Sequence, residues 1–239
     1  MNTNTVSQDT PESYNADAFP KPSVTVDVAA FTAREGKLCL LLVKRGVWPF
    51  AGDWALPGGF VKLDEDLDTA ARRELGEETG VAGAHYLEQL YTFGAVGRDP
   101  RTRVISVAYY ALLPGHQSEL SVGEPEAGTD AAEARWWPID ALPCLAFDHA
   151  AIVEKALSRL RAKLLYTSVT YALLPEEFTL TELQTVYEII LVQALDKRNF
   201  RKKMLAAEIL EGTPRQKRDG AHRPAQLYRF TKLEPVFMG

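Results

Sequence analysis

Glu74, Glu77 and Glu78 stand at i, i+3 and i+4 in the run Arg73-Glu-Leu-Gly-Glu-Glu-Thr-Gly-Val81. On a helix turning about 100° per residue they occupy roughly one third of the circumference. Carboxylates so crowded repel one another by about 0.2–0.5 kcal/mol per pair. A divalent cation relieves that repulsion, and hard oxygen ligands suit Mg²⁺. Position sharpens the reading. The apolar stripe that begins Leu67, Ala70, Ala71 continues into Glu74 and Glu78. A salt-bridged surface helix keeps its acids opposite the apolar stripe, whereas acids on the inward stripe are costly without a partner. The pattern predicts a cation-binding site and not a solvated face.

The elements that must hold this helix can be read around it. Val24 to Phe31 and Leu38 to Val43 are rich in β-branched and aliphatic residues and flank Glu35-Gly36, as a hairpin would. Trp54-Ala-Leu-Pro-Gly-Gly-Phe60 leads into the acidic helix, where Asp64, Glu65 and Asp66 favour the positive N-terminal end. Gly80-Val81 predicts a left-handed C-terminal cap with an apolar lock. Further strands are expected over 86–93, 103–113 and 134–137, and a helix over 148–165. Mixed strands with two helices predict an α/β fold, an α/β/α sandwich.

Beyond Leu174-Pro175 the pattern changes. Thr179-x-x-Glu182 is a capping box, followed at helical spacing by Leu180, Leu183, Val186, Tyr187, Ile190 and Leu191. Asp196 should cap a second helix with Phe200, Met204 and Ala207 inward and Lys197, Arg198, Asn199, Arg201, Lys202 and Lys203 outward. Gly212-Thr-Pro214 and Asp219-Gly220 read as turns, and 226–230 as a short strand. Helix, turn, basic helix and basic hairpin form the layout of a winged helix-turn-helix. Arg198, Asn199, Arg201 and Lys202 supply cations for phosphates and planar donors for base edges at a helix start. Arg215, Lys217, Arg218, His222 and Arg223 belong to the expected wing. A charge run alone fits a solvated face equally well; the clustering and the paired wing favour double-stranded DNA.

Whole-chain properties agree. The 239 residues carry a net charge of −5, yet 197–232 holds eleven Lys and Arg against three acids, leaving −13 on the remainder. Such a split suggests that one part meets a polyanion. Cys39 and Cys144 make neither a disulfide framework nor a metal cluster, and Cys39 reads as core. The first 22 residues are polar, contain Pro11, Pro20 and Pro22, and lack a signal's apolar centre. With no run long enough to span a membrane, a cytoplasmic protein behind a disordered tail is expected, with no membrane partner.

Gly59, Glu65, Arg73, Glu74, Leu75, Glu77, Glu78, Gly80 and Val81 match every fixed position of the Nudix box, which this segment resembles. The resemblance implies hydrolysis of a nucleoside diphosphate linked to another group. Glu74, Glu77 and Glu78 would be Mg²⁺ ligands, Arg73 would orient Glu74, and Glu65 would support the loop. The four residues Arg73, Glu74, Glu77 and Glu78 would form the catalytic set.

With its basic C-terminal module, the chain resembles the Nudix-related transcriptional regulators of NAD metabolism. The likeness is carried by Leu42-Val-Lys-Arg45, Trp136-Trp-Pro138, Leu145-Ala-Phe-Asp-His149, Phe178-Thr-Leu-Thr-Glu-Leu-Gln184, Asn199-Phe-Arg-Lys202 and Arg223-Pro-Ala-Gln-Leu-Tyr228. It implies a Nudix domain over 23–165, a winged helix-turn-helix over 166–239, and a tail over 1–22. It also implies a homodimeric repressor on a palindromic operator, released by ADP-ribose or a related nucleotide. Many such regulators have degraded boxes; this one is complete, which keeps an ADP-ribose pyrophosphatase as the alternative. Val96 stands where related ADP-ribose hydrolases often have proline.

Arg45, Arg98, Arg101 and Arg103 are candidate diphosphate or ribose contacts, or else surface ion pairs. Phe50, Trp54 and Tyr109 either stack on adenine or fill the core, and Gly58 and Gly59 should line the ligand. The general base stays open among Glu124, Glu126, Asp130 and Glu133. Any change passing between the domains is expected in the helix over 148–165 and the segment to Leu174.

Overall fold

A computed structural model describes residues 15, 18–81, 83–115, 131–218 and 224–238. The expected turn at Asp219-Gly220, the wing residues His222 and Arg223, the acids Glu124, Glu126 and Asp130, and most of the expected tail lie outside the described residues.

Strands β1 (Ser23–Arg34) and β2 (Lys37–Arg45) form the expected hairpin, with Glu35 and Gly36 at φ 50° and 72°. Short strands β3 (Trp54–Ala55) and β4 (Gly58–Phe60) precede α1 (Leu67–Thr79); β5 (Tyr86–Phe93), β6 (Val104–Leu113), β7 (Ala131–Pro138) and α2 (His149–Leu164) follow. The sheet runs β3-β2-β1-β6-β5, with β4 added to β1 and β7 to β2. Strand β1 takes β4 beside Thr25–Asp27 and β2 beside Phe31–Arg34, so the glycines of β4 lie against its polar first half.

Alternation along the strands divides the sheet between two faces. Val26, Val28, Ala30 and Leu41 pack with Ala70, Ala71 and Leu75 of α1. Ala29, Phe31, Leu40 and Leu42 pack with Ile152, Val153, Ala156 and Leu160 of α2. The sandwich is therefore α1 on one face and α2 on the other.

Helix α1 is capped at both ends as its sequence asks. Asp66 Oδ1 accepts the Thr69 amide at 2.7 Å, and Gly80 sits at φ 66° with its N–H on Gly76 O. Val81 behind it is buried.

The chain then passes through a buried 3₁₀ turn, Val169–Ala172, into β8 (Phe178–Thr179), α3 (Leu180–Leu191), α4 (Lys197–Ala206), β9 (Leu210–Lys217) and β10 (Ala225–Phe230). The capping box is formed: Thr179 Oγ1 accepts the Glu182 amide and Glu182 Oε2 accepts the Thr179 amide. Asp196 caps α4 through the Asn199 amide at 2.8 Å. One expectation needs correcting. Gly212-Thr-Pro214 is no turn but lies inside β9. That strand is the edge of the sheet β8-β10-β9, where a missing proline N–H is tolerated.

The core on the α2 face does not stop at α2. It continues through Leu173, Phe178, Leu183, Val186, Tyr187, Ile190, Phe200 and Met204 to Phe230. Arg161 of α2 donates to the Ile190 carbonyl of α3 at 2.9 Å. Residues 236–238 fold back on the junction through Ser168 N–H to Val236 O and Met238 N–H to Tyr166 O. Among the described residues no helix is long and apolar enough to cross a membrane.

Leu160 is fully buried in this shared core. Leu160→Ala should cost about 2–5 kcal/mol. In urea titrations, tryptophan fluorescence, which reports only the N-terminal sandwich, should shift together with far-ultraviolet helicity. Separate transitions would contradict a continuous core.

Candidate functional site

Gly58 and Gly59 bring β4 against the acid-bearing side of α1. A Cβ on Gly59 would meet Glu74 Oε1 at 2.4 Å, and one on Gly58 would meet the Val26 carbonyl at 2.2 Å. Gly58 faces backbone and admits no side chain, whereas a side chain at Gly59 would displace the Glu74 carboxylate. The Gly58 N–H donates to Glu78 Oε2 at 2.9 Å.

Arg73 organises the remaining acids. Its Nε and Nη2 hold Glu65 at 2.8 and 2.5 Å, while Nη1 reaches Glu74 at 2.7 Å and Glu77 at 3.0 Å. The Arg73 hydrogen bond holds the Glu65 carboxyl well below its ordinary value, at about 2. Glu74 moves the other way: burial raises its pKa, and Arg73 opposes the shift only in part. The inward stripe thus does turn acidic, and its buried member is short of positive charge.

Glu74, Glu77 and Glu78 open into one cavity of about 420 Å³. As the side chains stand, no three acidic, imidazole or thiolate groups among the described residues close around a single point. The donor set nevertheless fits a divalent cation: three carboxylates in one cavity, one of them buried and short of positive charge.

The cavity floor comes from β1, the β5–β6 loop and the start of α2. The Arg98 side chain is buried and donates to Asp148 at 2.6 and 3.0 Å and to Asp27 at 3.2 Å. Ser106 donates a short hydrogen bond to the same Asp27 oxygen. His149 Nδ1 accepts the Leu56 amide at 2.9 Å, and Nε2 lies 3.4 Å from Asp27 Oδ1. Because Nδ1 accepts, the ring is neutral with its proton on Nε2. Burial pushes its pKa down, against the pull of Asp27.

Of the residues expected to contact ligand, Arg45, Gly58, Gly59, Arg98 and Arg101 line the cavity with Arg73 and the three glutamates. Arg98 reaches it as a buried structural cation. Arg101 is held on Asp99 at 2.7 Å and sits over Phe60. Arg45 donates to the Pro49 carbonyl and lies 4.9 Å above the Phe147 ring.

Phe50, Trp54, Arg103 and Tyr109 do not line the cavity. Phe50 packs edge-on against Phe147 at 4.7 Å, and Trp54 against Trp137 at 5.2 Å. Arg103 donates to the carbonyls of Gly94, Ala95 and Val104. Tyr109 is buried on the α1 face and donates to Asp68; burial raises its pKa.

Thr25, Asp27, Lys62, Asp99, Phe147 and His149 also line the cavity and were not among the expected contacts. A signal for two of them existed. Val24-Thr-Val-Asp-Val28 places Thr25 and Asp27 on one face of an otherwise apolar strand.

On the C-terminal side, Lys197, Arg198, Asn199, Arg201, Lys202 and Lys203 are all exposed, while Phe200 and Met204 are buried. Helical spacing puts Arg198 and Lys202 opposite the buried side, with Lys197 and Arg201 toward the wing, where they line a cleft with Lys217. In β9, Lys217 pairs with Glu182 at 2.7 Å and Arg215 with Glu177 at 3.1 Å; Arg218 just beyond is exposed.

Comparison with known proteins gives matches in both halves. Residues 21–160 match the NUDIX domain, and residues 170–230 match the NrtR DNA-binding winged helix domain. The ADPR responsive transcriptional repressor NtrR of Acinetobacter baylyi is 41% identical, over 91% of this chain and 85% of that protein. The crystal structure of Shewanella oneidensis NrtR complexed with a 27mer DNA superposes with a TM-score of 0.73 at 37% identity, covering 87% of this chain and 93% of the other. The NUDIX domain of the same protein complexed with ADP ribose aligns at 37% identity and a TM-score of 0.54, over 62% and 94%.

The neutral, buried His149 gives a pH signature. A base whose pKa falls on folding contributes stability that is full above its unfolded value, about 6.5, and is lost as pH drops below it. Urea midpoints should therefore fall between pH 7.5 and 5.5. His149→Asn, which retains an acceptor for the Leu56 amide, should flatten that dependence. Parallel profiles for the two proteins would contradict the assignment.

Proposed function

The chain belongs to the Nudix family and, within it, to the NrtR-type regulators that join a Nudix domain to a winged helix, and from this we propose that it is an ADP-ribose-responsive transcriptional repressor of NAD metabolism genes. The observation that carries the reading is the connection of the two sites. Helix α2 begins in the floor of the acid-lined cavity and ends against α3, in one core with the basic α4.

A nucleoside diphosphate fits the cavity chemically. Arg101 offers charge to the diphosphate, and the apolar wall of Val43, Val47, Leu56 and Phe147, with Arg45 over the Phe147 ring, suits a base. Glu74, Glu77 and Glu78 would hold a divalent metal, as Nudix hydrolases generally do; we assign Mg²⁺. When bound, it supplies charge neutralisation on the diphosphate and lowers the pKa of water. Arg73 keeps Glu74 and Glu77 oriented, and the Gly58 N–H does the same for Glu78.

The winged helix would meet double-stranded DNA with Arg198 and Lys202 deepest, Lys197, Asn199, Arg201 and Lys203 on the flanks, and Arg215, Lys217, Arg218 and Arg223 on the wing. A homodimer would place two such helices on a palindrome. Ligand shifts DNA affinity only by its differential affinity for two arrangements of that dimer. The tie between the cavity and α2 supplies a physical route, with Asp148 and His149 at one end of the helix and Arg161 near the other. A cytoplasmic location goes with this reading.

The complete box supports a second activity at the same site, hydrolysis of ADP-ribose to AMP and ribose 5-phosphate. A slow hydrolase would remove its own inducer and reset the repressor.

Two experiments test these assignments. In gel-shift titrations on the upstream region of an NAD metabolism gene, ADP-ribose should weaken the wild-type complex. Arg198→Ala with Lys202→Ala should reduce affinity at least tenfold, with a shallower dependence on salt. Unchanged affinity in that double variant would sink the docking assignment. In the second, AMP formation from ADP-ribose with Mg²⁺ should fall by about two orders of magnitude or more in Glu78→Gln, with DNA binding retained. Equal turnover in both proteins would place the chemistry elsewhere.

A further inference from the structure

Thr25 lies on β1, two residues before Asp27 and on the same sheet face, in the cavity floor. The residue is 7% exposed, and its Oγ1 has no hydrogen-bond partner among the described residues. Its polar neighbours are satisfied: Asp27 by Arg98 and Ser106, and Asp99 by Arg101. A buried hydroxyl left unpaired is costly, and a ligand oxygen that completes it recovers the cost.

The fold says which half of a nucleotide meets it. The register partner of Thr25 is Phe60, over whose ring the Arg101 guanidinium sits at 5.3 Å. The next pair along is Val26 with Gly59, where the Glu74 carboxylate approaches. Thr25 therefore belongs to the charged end of the cavity, while the apolar wall around Phe147 lies with Arg45 on β2. A base takes the apolar end, which leaves the charged end to the diphosphate and the sugar beyond it.

We propose that Thr25 Oγ1 is a specificity-determining contact that bonds an oxygen in the distal half of the ligand, on the β-phosphate or the ribose attached to it. The inference rests on the ADP-ribose reading given above. A site built around such a bond discriminates strongly against ligands that cannot make it, because the hydroxyl is then left unpaired.

The test is calorimetric titration of the full chain with Mg²⁺, using the uncleaved α,β-methylene analogues of ADP-ribose and ADP, and AMP. Thr25→Val keeps the shape and removes the hydroxyl; Thr25→Ser keeps the hydroxyl. Thr25→Val should bind the ADP-ribose analogue about tenfold more weakly and AMP within about twofold of wild type, while Thr25→Ser retains wild-type selectivity. A loss already present with the ADP analogue assigns the bond to the β-phosphate, and a loss only with the ADP-ribose analogue assigns it to the ribose; either supports the proposal. No loss in Thr25→Val, an equal loss for all three ligands, or the same loss in Thr25→Ser overturns it. If wild type fails to bind the ADP-ribose analogue, the nucleotide reading falls first and this contact with it.

Discussion

Burying the Arg98 guanidinium at 4% side-chain exposure demands nearby negative charge, and the fold draws that charge from two elements far apart in sequence. Asp27 comes from the first strand and Asp148 from the residue that opens α2. Removing one partner of such a buried set leaves an uncompensated charge and costs about 3–5 kcal/mol. The arrangement also explains an oddity of α2. Asp148 occupies the N-cap position but makes no capping hydrogen bond with its side chain, because both carboxylate oxygens are committed to Arg98. The helix is thus fastened to the cavity floor instead of being closed on itself. Helix α2 is thereby tied to the cavity floor at Asp148 and packed on α3 at Arg161, so it touches both halves of the molecule.

The acid helix is governed by the same scarcity of buried positive charge. Arg73 serves Glu65, Glu74 and Glu77 with one guanidinium, and Nε and Nη2 are both engaged by Glu65, which leaves Nη1 to be shared between Glu74 and Glu77. Glu74 keeps a raised pKa despite that contact, since burial outweighs it. A divalent cation would meet the deficit that Arg73 leaves. The close approach of Gly59 fixes the Glu74 carboxylate at the cavity edge, so the deficit faces the space a nucleotide would occupy.

Much of this was legible in the chain because local rules and tertiary needs coincide. The apolar stripe that becomes acidic at Glu74, the Gly80 cap, the Thr179–Glu182 box and the Asp196 cap each declare themselves within a few residues. Side-chain destinations were harder to read. Arg98 and Arg103 look alike in sequence, yet one is buried on two carboxylates and the other bonds loop carbonyls. Tyr109 and Tyr110 alternate across the sheet, and only the pairing of β1 with β6 decides which face each takes. Gly212-Thr-Pro214 reads as a turn locally and becomes an edge strand because β10 offers it a partner. The absence of an exposed linker was hidden for the same reason: residues 169–174 are ordinary in composition, and their burial follows from the core that closes over them.

Charge is also unevenly available on the C-terminal module. The wing cations Arg215 and Lys217 are answered by Glu177, just before β8, and by Glu182 in the first turn of α3, and Glu182 is the same residue that closes the capping box. The contacts to Lys217 and the Thr179 backbone hold the Glu182 carboxyl below its ordinary value against its burial. A phosphate approaching Lys217 must therefore compete with an acid that the helix cap keeps in place. Among the described residues the exposed cations of α4 face no such built-in rival beyond Asp196 at its start. Attraction to a polyanion should then be concentrated on α4, while the wing gains less from each phosphate it meets. The ion pairs also brace β9 against α3, which orients the wing before any DNA arrives. Part of the wing's charge is thereby used for positioning, whereas the cations of α4 stay exposed.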